Sequence, residues 1–132
     1  MLKLTRRSCV ISSTRYSSQL AHTRPLSIET VELDPPGPEE VLVRIGAAGL
    51  CHSDLSVING SRPRVLPMAL GHESAAEVVQ LGAGVDDLRV GDHVGNAWLA
   101  SACGDCEYCE SGWETLCPAQ KSSGYSVHGS FG

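Results

Sequence analysis

The stretch "CGDCEYCESGWETLC", residues 103–117, places Cys103, Cys106, Cys109 and Cys117 at C-x2-C-x2-C-x7-C spacing. Disulfides between cysteines three apart are geometrically poor, because a bridge needs Cα and Cβ separations that a tight turn rarely offers. No secretory leader is legible upstream, so a reducing compartment is expected. Thiolates converging on one tetrahedral ion are the natural alternative. Two-residue gaps wrap successive sulfurs round a centre, and the longer gap closes the cage.

An iron–sulfur cluster is the competing metal reading, since C-x2-C-x2-C with a later Cys-Pro also occurs in bacterial ferredoxins. Those have three residues before the last cysteine, whereas seven separate Cys109 from Cys117. The stretch therefore reads as a structural zinc site. Four sulfur ligands leave no open coordination position for chemistry.

Working outward, the chain has 132 residues, 42% hydrophobic and 19% charged, which suits one globular domain with a modest core. No apolar run approaches the roughly 18 residues that span a bilayer. The net charge of −5 hides an asymmetry: residues 1–24 hold Lys3, Arg6, Arg7, Arg15 and Arg24 and no acid. The remaining 108 residues carry five basic and fifteen acidic groups, a balance of −10. Such a body repels phosphates, so nucleic acid is excluded as a partner, and no membrane role is expected.

The opening "MLKLTRRSCVISSTRYSSQL" supports two readings. Being Arg- and Ser-rich and free of acids, it could be a mitochondrial transit peptide. The preferred reading makes "RRSCVI" a first β-strand and "SSTRYSSQ" the hairpin region after it. The expected compartment is cytoplasmic, with the mitochondrial matrix as the alternative.

Further along, "PLSIETVEL" alternates as a half-buried strand, and the Pro-dense "DPPGPEE" is a turn. "VLVRIGAAG" is a second strand with a glycine exit. "CHSDLSVING" suits a short helix of about two turns closed by Asn59-Gly60. "SRPRVLPMALGHE" is an irregular loop, "SAAEVVQLGAGV" a strand running into a glycine turn, and "LRVGDHVGNAWL" another strand. Short strands punctuated by Gly and Pro predict a mainly β fold with short helices, barrel-like or sandwich.

Cys51 and His72 form a second constellation, each at the end of a strand-like segment. A lone Cys or His usually packs. Here Cys51 is followed by His52, Ser53 and Asp54, and His72 sits between Gly71 and Glu73. Thiolate and imidazole both suit zinc, and a catalytic zinc needs only three protein ligands plus an open position. Nearby acids can orient the imidazole. Other motifs fail: "HESAA" lacks the second His of H-E-x-x-H, and "GYSVHG" is not G-x-S-x-G. Neither G-x-G-x-x-G nor a P-loop occurs.

Together, "GPEEVLVRIGAAGLCHSDL", "LGHE", "GDHV" and "CGDCEYCESGWETLC" resemble the N-terminal half of zinc-dependent medium-chain alcohol dehydrogenases. The similarity spans nearly all of residues 25–132. "AWLASACGDCEYCESGWETLC" and "GYSVHGSFG" are most similar to microbial, ethanol-type members. The resemblance implies a GroES-like β-barrel domain over residues 25–132 with a structural zinc lobe, after a poorly matched segment 1–24. It implies that Cys51 and His72 hold a catalytic zinc, with Asp54 and Glu73 behind them. It also implies that Ser53 binds the substrate hydroxyl and starts a proton relay. His52 would lie near the cofactor diphosphate and assist that relay, and Trp98 would narrow the pocket to short alcohols.

The implied reaction is hydride transfer from a short primary alcohol to NAD. Zinc, as a Lewis acid, lets an alkoxide exist near neutral pH. Ser53 moves the proton by general acid–base transfer, and the nicotinamide accepts the hydride. Alcohol or aldehyde would be the small-molecule partner, and the parent enzyme a homo-oligomer.

Three departures qualify the resemblance. Ala76 stands where the family usually has glycine, which is expected to alter packing there. The opening residues fit the family's first strand loosely. The chain stops at Gly132, before the third catalytic ligand and the Rossmann domain, so as an isolated polypeptide it is expected to hold the catalytic zinc weakly and to be inactive. The alternative is a non-catalytic zinc-binding GroES-like structural or interaction module.

Overall fold

The computed structural model describes residues 4–12 and 25–131. In chain order the elements are β1 (Leu4–Ile11), β2 (Leu26–Leu33), β3 (Val41–Ala48), α1 (His52–Ile58), β4 (Met68–Ala69), β5 (Ser74–Leu81), β6 (His93–Asn96), β7 (Leu99–Ser101), α2 (Glu107–Glu110), a 3-10 turn (Glu114–Leu116) and β8 (Lys121–Ser122). The fold is mainly β with short helices, as expected. The "SSTRYSSQ" hairpin region lies, beyond its first residue, outside the described residues.

Among the described residues the ladders form three sheets, ordered β2-β1-β4, β3-β5-β6 and β7-β8, and none closes on itself into a cylinder. In the second sheet, alternation sends Ala76 and Val78 of β5 into the core. Between them Glu77 faces the other side, where its carboxylate meets the Arg44 guanidinium of β3 at 2.6 Å. Ala76, at the departure from the family pattern, is buried and pairs with Ile45 and Val94. The ladder shifts register between Ile45 and Ala47, so Gly46 is the extra residue of a bulge beside that pair.

The first sheet corrects one expectation. β2 forms over the expected residues and pairs with all of β1, yet only Val31 is half-buried, and Ile28 is 60% exposed. As an edge strand it has a ladder neighbour on one side only. Core density lies instead where β1, α1 and β4 meet. There Ile11, Val57, Met68 and Leu70 form a buried cluster, flanked by Ile58, Leu66 and Phe131. Each such side chain, taken from water, contributes about 1.5–3 kcal/mol.

α1 turns Asp54, Val57 and Ile58 inward, three and four residues apart, as a helix face requires. Its end matches the sequence reading: Asn59 caps it and Gly60 follows at φ 78°.

Candidate metal centres

The four sulfurs of Cys103, Cys106, Cys109 and Cys117 lie within 4.8 Å of one another. Individual separations are 3.5 Å for Cys103–Cys117, 3.6 Å for Cys106–Cys109 and 3.9 Å for Cys103–Cys109. Sulfurs bound tetrahedrally to zinc at about 2.3 Å sit about 3.8 Å apart, so the spacing fits one ion. A disulfide needs about 2.05 Å, and all four thiols are free.

Local folding explains the convergence. Cys106 precedes α2, which carries Cys109 on its single turn, and the 3-10 turn delivers Cys117. The Cys103 amide donates to the Cys117 sulfur at 3.5 Å. That donor is the main reason the Cys117 thiol is drawn down to about 7. Cys103 is pushed up to about 12, first by its hydrogen bond with the Asp105 side chain, and burial pushes Cys109 up. A divalent ion would displace the remaining protons.

The second constellation assembles from three elements. Cys51 ends the approach to α1, Ser53 and Asp54 lie in its first turn, and His72 and Glu73 directly precede β5. One ligand atom each from Cys51, His72 and Glu73 falls within 4.8 Å of the others. His72 is buried, and its Nδ1 lies 3.3 Å from Asp54 Oδ1, also buried. Asp54 accepts further from the amides of Gly71 at 3.2 Å and Cys51 at 3.1 Å. With Nδ1 held by the carboxylate, Nε2 carries the lone pair that a metal can use.

Ser53 Oγ stands 3.2 Å from that same Nε2. Hydrogen bonding from Ser53, and then from His72, draws the exposed Cys51 thiol below its usual range. Glu73, expected behind the ligands, reaches 4.0 Å from Nε2 with an exposed carboxylate, near enough that it could share an ion with Cys51 and His72. Trp98 meets the His72 ring edge-on at 5.0 Å. His52 opens α1 exposed to solvent, outside the cluster.

Backbone geometry fixes His72. Gly71 adopts φ +91°, and a Cβ there would sit 2.5 Å from the Phe131 ring. Gly129 passes so close that its own Cβ would overlap the Gly71 carbonyl, and the Ser130 amide donates to that carbonyl at 3.1 Å. Arg64 and Tyr125 also lean towards the site, and the sequence reading singled out neither. A concavity of about 580 Å³ on the β3-β5-β6 sheet is lined by none of the Cys or His ligands.

Comparison with known proteins gives the family. The alcohol dehydrogenase GroES-like domain family matches residues 37–132. An alcohol dehydrogenase of Moraxella sp. (strain TAE123) is 47% identical over 108 residues, covering 80% of this chain and 32% of that protein. One from Geobacillus stearothermophilus is 48% identical over 110 residues, covering 82% and 33%. The crystal structure of an NAD-dependent alcohol dehydrogenase superposes with TM-score 0.80 at 31% identity, over 95% of this chain and 35% of that one. The chain thus spans about a third of the length of the curated relatives it matches. By the extent of the family match, this chain belongs to the alcohol dehydrogenase GroES-like domain family.

Proposed function

We propose that the chain supplies the catalytic metal ligands and the structural zinc lobe of an alcohol dehydrogenase that oxidises short primary alcohols with NAD. The observation that carries this reading is the gathering of Cys51, His72 and Glu73 within 4.8 Å, with the Ser53 hydroxyl 3.2 Å from His72. Sulfur, imidazole and carboxylate donors suit zinc. Bound there, zinc supplies the Lewis acidity that makes an alcohol proton labile near neutral pH.

The chain's own residues do the rest. Asp54 holds the His72 tautomer and plane through Nδ1. Ser53 Oγ, within hydrogen-bond reach of the ligand edge, receives the alcohol proton and passes it outward. His52, exposed one residue before it, would take that proton on and meet the cofactor diphosphate. Trp98, edge-on against His72, would narrow the pocket to short alcohols. The closed four-sulfur cage has a folding role only.

The partner molecule is an alcohol or its aldehyde, and a homo-oligomer is the working state of the enzyme. Free thiols suit a reducing compartment, the cytoplasm first and the mitochondrial matrix as the alternative. No helix among the described residues is long and apolar enough to cross a membrane.

Metal analysis of purified chain tests the reading. Two zinc ions per chain, falling to one in Cys51→Ser, are expected. One ion that Cys51→Ser leaves in place would instead make the chain a non-catalytic zinc module.

A further inference from the structure

Arg64, in the loop between α1 and β4, is a half-buried cation that the proposed chemistry does not use. Its guanidinium carbon lies 3.9 Å from the centre of the Tyr125 ring. Nη1 and Nη2 donate to the carbonyls of Gly124 at 3.4 Å and Arg62 at 2.9 Å, while Nε is buried without a partner. Its direct contacts are backbone oxygens and a ring face, with the Asp54 charge acting on it from further off. A guanidinium stacks flat on an aromatic face in a way an ammonium does not.

The contact continues inward. The Tyr125 ring stands 5.6 Å from Trp98, tilted by 45°, and Trp98 meets His72 at 5.0 Å with planes 84° apart. Residues 64, 125, 98 and 72 thus form an unbroken chain of contacts from a surface loop to a proposed metal ligand. Such offset and edge-on contacts fix ring orientation, so a displaced Tyr125 releases the indole.

We propose that Arg64 is a positioning residue: by clamping Tyr125 against Trp98 it fixes the indole wall beside His72. The consequence for alcohol size rests on the dehydrogenase reading, whereas the positioning itself does not. Without the cation, the Tyr125 ring gains freedom and the half-buried indole becomes more accessible to solvent.

The test uses the zinc-loaded chain with Trp113→Phe, which leaves Trp98 as the one tryptophan of the two. Acrylamide quenching and emission anisotropy then report on Trp98 alone. Arg64→Ala is expected to raise the quenching constant about twofold and lower the anisotropy, and Arg64→Lys to recover part of the loss. With Tyr125→Leu already present, Arg64→Ala is expected to add nothing, because the two act in series. If Arg64→Ala loses its zinc, Arg64→Met, which keeps the apolar stem, takes its place. Unchanged Trp98 quenching in the folded variant, or an equal effect with leucine at 125, would overturn the proposal. The zinc count decides the dehydrogenase reading separately, since quenching involves no turnover.

Discussion

Asp54 has more tasks than any other residue near the second constellation. One carboxylate caps α1 at the Cys51 amide, takes the Gly71 amide and holds His72 Nδ1. Asp54→Asn keeps the shape but removes the charge and one acceptor. Cobalt titration of this variant is expected to show binding at the Cys51–His72 site weakened about 10- to 100-fold, a typical loss for such supporting groups. Ser53 acts on Cys51 differently. Its hydrogen bonds lower the thiol pKa, so Ser53→Ala raises it and leaves less thiolate at a given pH. Alkylation of Cys51 in metal-free protein should then move its pH profile to higher pH, and an unmoved profile would count against that bond. Gly71→Ala combines a φ of +91° with a clash on Phe131. Urea unfolding is expected to show a loss of about 1–3 kcal/mol, typical of forced backbone strain.

Short elements alone do not hold the cysteine lobe together. α2 has four residues, the 3-10 turn three and β8 two, and none buries a large apolar side chain. Trp113 and Leu116 are 61% and 56% exposed, so hydrophobic burial contributes little there. On the zinc reading proposed above, the metal supplies the difference: structural zinc with four good ligands contributes about 10–16 kcal/mol at neutral pH. Cys109→Ser is expected to lower zinc content by one ion and to erase amide protection across residues 103–117. The β3-β5-β6 ladder should keep its protection, because its buried Ala76 and Val78 do not depend on the lobe. Protection retained in the lobe of a zinc-free variant would refute this division.

At the scale of the molecule, the two centres differ in the donors they offer. The cage gathers four sulfurs, with Cys117 buried and Cys103 exposed, whereas the second site offers one exposed thiol, the buried His72 imidazole and an exposed carboxylate. Zinc release to a chelating dye is expected in two phases of one ion each: a fast one from the Cys51–His72 site and a slow one from the cage. Thermal stability should fall mainly in the slow phase. A single phase of one ion would mean that the Cys51–His72 site holds no zinc.

The sequence alone determined whatever depends on close spacing. The cage was legible because its sulfurs lie within fifteen residues, and turns that short can hardly keep them apart. α1 was legible through its closing Asn59-Gly60, and most strands through alternation and glycine punctuation. Cys51 and His72 were read from residue type and family resemblance, since local physics does not bring positions twenty-one apart together. Tertiary structure decided that pairing by docking α1 against the Gly71 turn. It also decided the reach of Glu73, the exposure of β2, and the approach of Arg64 to Tyr125 and of Tyr125 to Trp98. Each of these contacts joins segments whose meeting is fixed by the packing of the whole core, and no local pattern encodes that.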